Sequence, residues 1–189
     1  MFRLTLADDL ELMLLEERHV PLLAALVAEN RERLTRFLPW AQTTFEPEVR
    51  AFARETLQRF SRGEGFDAGL MADGELAGMV GVHHLDRTVG RVEIGYWIGS
   101  RFEGRGLVTR AVIGVIRVMF EDYGLNRVEI RCQPDNLRSR AVAERLGFVH
   151  EGTLRSVHPT LQGVPADLEV FGLLRSEWEQ ARQRQEWTA

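Results

Sequence analysis

The chain has 189 residues, 44% of them hydrophobic and 28% charged, a composition that suits one globular domain with a sizeable core and argues against disorder. All 24 cationic residues are arginine, which excludes a phosphate-loop lysine, a Schiff-base lysine and a lysine general base. The net charge of -4 argues against non-specific binding to nucleic acid or anionic membrane, and the single Cys132 precludes an intrachain disulfide or a cysteine-rich zinc site.

The N-terminal stretch carries Asp8, Asp9 and Glu11 and lacks a signal-peptide layout. The longest apolar runs, Val20 to Ala28 and Ala111 to Ile116, fall short of the roughly 18 to 20 residues that cross a bilayer, so a soluble cytoplasmic protein is expected. No repeat or linker divides the sequence, and residues 1–189 read as a single domain ending in a helical tail, Arg175 to Trp187, expected on the surface.

Leu10 to Leu15 reads as the first strand. Pro21 then precedes Leu22, Leu23, Leu26 and Val27 at helix spacing, and Pro47 opens a second helix with Val49, Phe52, Ala53, Leu57 and Phe60 on one face. From Phe66 the period shortens. Asp67 to Met71, the Asp73-Gly74 turn and Leu76 to His84 predict a hairpin, and Val92 to Ile98 a third strand. A helix from Arg105 to Tyr123, a strand Arg127 to Cys132, a capped helix Asn136 to Leu146 and strands Phe148 to Val157 and Asp167 to Leu174 complete the order β-αα-βββ-α-β-α-ββ. This order predicts an α/β fold with a mixed, mostly antiparallel central sheet flanked by helices. Val128 to Cys132 can pair parallel to Val92 to Ile98 across the intervening helix.

Between that third strand and its helix lies Arg101-Phe-Glu-Gly-Arg-Gly-Leu-Val-Thr109. Gly104 and Gly106 can adopt conformations closed to other residues, aiming successive N–H groups at an anion near the positive helix end, with Arg101 and Arg105 adding charge. An ordinary loop with a helix cap explains the two glycines equally well. A dinucleotide fingerprint fails because Thr109 stands where its third glycine belongs, and a GxxxxGKS loop fails for want of lysine.

The segment R-F-E-G-R-G resembles the R/Q-x-x-G-x-G/A signature of the GNAT superfamily of N-acetyltransferases. Asn136-Leu-Arg-Ser139 through Glu144-Arg-Leu-Gly-Phe148 is similar to that superfamily's second segment. Over nearly its whole length the chain resembles the RimJ/RimL branch of ribosomal-protein N-terminal acetyltransferases, through Asn30 to Trp40, Glu93 to Trp97, Asn136 to Ser139 and Asp167 to Trp178. The resemblance implies acetyl-CoA as cofactor, with its pyrophosphate over Arg101 to Gly106 and its pantetheine between two splayed strands. The binding set it implies is Tyr96, Trp97, Ile98, Arg101, Gly104, Arg105, Gly106, Leu107 and Asn136, with no metal. Relatives often form homodimers, and no sequence feature fixes an interface.

An α-amine, with a pKa near 7.7 to 8.0, is about a tenth neutral at pH 7 and needs only a mild base. Glu93 matches a strand position from which a glutamate serves as base in some members of the superfamily. A solvent-facing Glu93, or one paired with an arginine such as Arg91, is the competing expectation. His83 and His84 also compete as bases, although adjacent strand residues face opposite sides. The tyrosine that many members use as general acid is replaced by Ala143, and Ser139 fits the serine thought to serve instead in the RimL-like branch. Asn136 also suits a helix N-cap, Ser139 an ordinary first turn, and Cys132 the core. Phe171 stands where the branch usually has tyrosine, leaving the acceptor open, and Trp40 either walls the acceptor pocket or anchors the first helix. The expected acceptor is a protein N-terminus. A small amine, or a regulatory module that binds acyl-CoA without turnover, is the alternative.

Overall fold

The computed structural model describes residues 3–184, so the end of the expected tail helix at Trp187 lies outside the described residues. These residues form two compact units. One takes the described chain up to Val82 together with Tyr96–Ala111; the other takes His83–Gly95 and the described chain from Val112 onward.

In the first unit, β1 (Arg3–Ala7), a strand absent from the expected order, pairs antiparallel with β2 (Leu10–Leu14), with Leu4 opposite Leu12. Every side chain of β1 is at least partly exposed, which explains why it lacks the apolar run that marks its neighbour. β2 pairs antiparallel with β3 (Phe66–Ala72), and β3 with β4 (Glu75–Asp86) through the expected Asp73-Gly74 turn. All seven residues of β3 are buried, including Asp67, whose carboxylate accepts from Thr56 Oγ1 at 2.7 Å and Arg59 Nη2 at 2.8 Å. Those two donors lie on α2 (Glu46–Arg62), which ends at Gly63 in the left-handed conformation that suits a helix terminus. α1 (Val20–Thr35) buries Leu23, Leu26, Val27 and Leu34 at helical spacing.

β5 (Arg91–Ile98) delivers its last three residues to this unit, followed by a tight turn at Ser100–Phe102 and the start of α3 (Leu107–Glu121).

In the second unit, the opening of β5 pairs in parallel with β6 (Arg127–Cys132), as expected. That register covers Arg91↔Arg127, Val92↔Val128 and Glu93↔Glu129 and ends there, although both strands continue. β6 pairs antiparallel with β8 (Ala166–Leu174), and β8 with β7 (Val149–His158), giving the order β5-β6-β8-β7. Val92, Ile94, Val128 and Ile130 alternate onto one sheet face and are buried, as are Val112, Val115, Ile116, Met119 and Phe120 of α3. Arg91, Glu93, Arg127, Glu129 and Arg131 therefore share the other face.

α4 (Leu137–Arg145) starts at Asn136, whose side chain accepts the Ser139 N–H at 3.3 Å, as an N-cap does. α5 (Arg175–Gln183) lies on the surface as expected, with Trp178 and Ala181 on its buried edge and the Trp178 ring 5.2 Å from that of Phe120.

Candidate active site

In the first unit, the segment from Tyr96 to Leu107 is tied down at its entrance. Gly99 N–H donates to the Ala77 carbonyl at 2.7 Å, and Ser100 N–H donates to Asn30 Oδ1 at 2.8 Å. Asn30 in turn donates to the Leu26 carbonyl at 2.9 Å, and Arg33 donates to the Ile98 carbonyl and to Glu103. The role of Asn30 and Arg33 is thus to hold the loop from α1. Gly78 is equally placed for a physical reason: a Cβ there would lie 2.2 Å from the Trp97 carbonyl oxygen and 2.8 Å from Ile98 Cα.

Beyond this anchor, Gly104 has φ +75° and Gly106 has φ +70°, and a Cβ at either would meet nothing within 4 Å. The conformation requires glycine, and the space above it is open. The first turn of α3 closes with Arg110 N–H donating to the Gly106 carbonyl at 3.1 Å. The N–H groups from Gly106 to Thr109 therefore precede the helical ladder and stand at its positive end, where an anion is favoured.

The arginines expected to add charge already have partners. Arg105 pairs with Asp73 at 2.6 Å, and Arg101 with Glu29 at 3.1 Å and Glu75 at 3.7 Å. Arg110, in the first turn of α3 and not among those expected, pairs with Asp9. The Arg110 hydrogen bond holds the Asp9 carboxyl below its usual range. Exposed pairs of this kind are screened by solvent and hold their partners weakly.

Trp97 carries a second feature, since its ring lies 6.2 Å from that of Trp40. Trp40 is partly exposed in a short turn, Pro39–Gln42, that Arg31 grips through the carbonyls of Ala41, Gln42 and Thr44. It packs against β5 as well as sitting beside α1.

The second unit brings together Asn136, Ser139 and Cys132. The Ser139 hydroxyl hydrogen-bonds the Cys132 sulfur. Burial pushes the Cys132 thiol up to about 11, against the smaller opposing effect of that hydrogen bond. Cys132 is core, as expected. Ala143 is fully buried and Phe171 lies in the core with its ring 5.1 Å from His150.

Glu93 sits at the last paired position of β5 and β6. Its ion-pair partner is Arg131, Nε to Oε2 at 3.3 Å, and not Arg91, which instead approaches Glu129 at 3.9 Å. The reason is the parallel register, which places β6 residues beside Glu93 on the same face. Of the two histidines, half-buried His83 lies against Gly95, while the exposed His84 has φ +51°. Sequence reasoning missed Glu129 and Arg131. The available signal was Arg-Val-Glu-Ile-Arg, Arg127 to Arg131, an alternation that puts three charges on one strand face. Among the described residues no group of three His, Cys, Asp or Glu side chains could hold a metal ion, and no helix is long and apolar enough to cross a membrane.

The model of the acetyltransferase (GNAT) domain family matches residues 9–149, and the chain belongs to that family. It is 38% identical over 184 residues to the Bacillus subtilis (strain 168) protein named "Putative ribosomal N-acetyltransferase YdaF", covering 95% of this chain and 98% of that one. It is 29% identical over 150 residues to the ribosomal-protein-serine acetyltransferase of Escherichia coli (strain K12), covering 79% and 84%. Among solved structures, RimL, a ribosomal L7/L12 α-N-protein acetyltransferase in a disulfide-linked complex with coenzyme A, superposes with a TM-score of 0.88 at 25% identity, covering 93% of this chain and 99% of that one.

Proposed function

We propose that the chain is a cytoplasmic, single-domain N-acetyltransferase that uses acetyl-CoA to acetylate the N-terminal α-amine of a ribosomal protein. The observation that carries this reading is the loop at Gly104 and Gly106, left-handed at both positions and open above each. A main-chain cradle at a helix start receives a diphosphate without needing lysine. The relatives named for ribosomal-protein acetylation supply the acceptor class.

In this reading the amides from Gly104 to Thr109 hold the diphosphate, with Arg101 and Arg105 beside it, and Leu107 starts the helix beneath. The backbone of Tyr96, Trp97 and Ile98 pairs with pantetheine amides, because the register of β5 with β6 ends at Glu93 and leaves strand beyond it. Asn136 caps the helix that presents Ser139. Bound acetyl-CoA supplies a thioester whose acyl carbon accepts the amine. Glu93 takes the proton the α-amine gives up, directly or through water. Ser139 donates a hydrogen bond to the departing sulfur. A thiol is a tolerable leaving group, so a hydrogen bond suffices. Trp40, against Trp97, walls the acceptor side.

A homodimer belongs to this reading as well. Its support is the run of exposed apolar residues Val149, Leu154 and Val157 on β7 and Leu161 and Val164 in the loop after it, and analytical ultracentrifugation decides it.

The deciding experiment incubates purified protein with acetyl-CoA and N-terminal peptides of ribosomal proteins and reads the products by mass spectrometry. A mass gain of one acetyl group on the α-amine is expected. Acetylation of spermidine but of no peptide, or binding of acetyl-CoA without release of CoA, would overturn the reading.

A further inference from the structure

Five charged side chains of the second unit form one continuous ladder across three strands. Glu151 on β7 accepts from Arg127 Nη1 at 2.6 Å, Arg127 Nε donates to Glu129 Oε1 at 2.9 Å, and Arg131 donates to Glu129 Oε2 from Nη2 at 2.8 Å and from Nε at 3.2 Å. Arg131 Nε also lies 3.3 Å from Glu93 Oε2, at the inner end of the ladder. Burial deepens toward the middle, where Glu129 is 5% exposed.

A carboxylate that deep is tolerated only when its oxygens are paired and hydrogen-bonded. Burial raises the Glu129 pKa, yet the hydrogen bonds from Arg131 and Arg127 outweigh it and leave the group below its usual value. Arg131 is therefore committed to Glu129 and cannot follow Glu93. The backbone makes room for this arrangement: a Cβ at residue 172, a glycine on β8 opposite Glu129, would fall 2.5 Å from both Arg127 Nη1 and Glu151 Oε1.

We infer that Arg131 and Glu129 are positioning residues for Glu93, holding its carboxylate at the point where β5 and β6 part company. This rests on the reading that Glu93 takes the proton of the amine. Arg131 approaches Glu93 at Oε2, and in this reading Oε1 accepts that proton. Glu129 is as necessary as Arg131. Without its hold, the guanidinium is free to turn its bidentate face to Glu93 and occupy both oxygens.

The test is a double-mutant cycle at saturating acetyl-CoA. Arg131→Gln is expected to lower kcat roughly tenfold to a hundredfold, as a mispositioned reacting group does, with the KM for acetyl-CoA unchanged. In an E93Q background, R131Q should have no further effect on kcat, because Arg131 acts through Glu93. Should R131Q fail to fold, Arg131→Lys takes its place: it keeps the charge but lacks the rigid planar fork that holds Glu129 and Glu93 at a fixed spacing, and the same loss is expected. A full additional loss in the E93Q background, or an unchanged kcat in R131Q or R131K, overturns the ladder. If E93Q alone leaves kcat unchanged, the proton assignment falls and the ladder's role falls with it, whereas a low E93Q rate with additive R131Q rejects the ladder only.

Discussion

Asn30 Oδ1 accepts the Ser100 backbone N–H at 2.8 Å, a bond between residues seventy positions apart that fixes where the glycine loop begins. Asn30 is 3% exposed, and its amide is also committed to the Leu26 carbonyl. Asn30→Leu keeps the bulk and removes both bonds; the Leu26 carbonyl keeps its helical partner, and the Ser100 N–H is left unsatisfied at a cost of about 1–3 kcal/mol. The expected result is a Tm lower by about 2–4 °C per kcal/mol, together with weaker acetyl-CoA binding by calorimetry. A lower Tm with unchanged affinity would show that the loop entrance does not need this anchor.

Gly78 and Gly104 need to be glycine for different reasons, and the same substitution separates them. Alanine at 78 places its Cβ 2.2 Å from a backbone carbonyl, so strand β4 or the Trp97-Ile98 segment must move. Both stability and cofactor binding should fall. Alanine at 104 meets no neighbour, and its only cost is the left-handed backbone at φ +75°, about 1–2 kcal/mol. Gly104→Ala should therefore relax the loop and weaken acetyl-CoA binding roughly tenfold while far-ultraviolet circular dichroism stays unchanged. Gly104→Val adds bulk over the cradle and should bind more weakly still.

Ser139→Ala removes the hydroxyl assigned to the departing sulfur. A hydrogen bond to a developing thiolate contributes about 1.5–3 kcal/mol, so kcat should fall roughly tenfold to a hundredfold. Calorimetric affinity for acetyl-CoA should not change. Because the hydroxyl also bonds Cys132, Cys132→Ala is the control: it deletes that contact while keeping the catalytic group, and its kcat should stay within about twofold of the parent. Equal losses in the two variants would reduce Ser139 to a packing role.

The α/β architecture was legible because its signals are local. Pro21 and Pro47 mark helix starts, Asp73-Gly74 turns a hairpin, and Arg127 to Cys132 reads as a strand with the bounds it has in the structure. β1 escaped because an edge strand with every residue partly exposed carries no apolar periodicity. The two glycines of the loop announced themselves in the same way, since a positive φ is a property of the residue itself. Partners across strands did not. Arg91 is two residues from Glu93 in sequence and shares its face, yet Arg131 pairs with Glu93 because a parallel strand thirty-odd residues later lies beside it. Glu129 and Gly172 matter through neighbours on other strands, which spacing within one strand cannot reveal.

Cys132 makes the alkaline limb of stability a test of burial. Its thiol is pushed from 9.0 up to about 11, chiefly by burial. Below pH 9 the thiol is protonated in both states and the shift costs nothing. Between about 9 and 11 the unfolded chain loses the thiol proton while the folded chain keeps it, so stability falls as pH rises, by up to about 3 kcal/mol in all. Cys132→Ala should abolish that part of the decline, leaving a flatter profile of urea midpoint against pH over the window. The parent thiol should also resist iodoacetamide at pH 8 until urea unfolds the protein, because the reactive thiolate is scarce and the sulfur is covered. Rapid alkylation of the native protein, or an identical alkaline decline in the alanine variant, would show that Cys132 is reached by solvent far more often than its buried position allows.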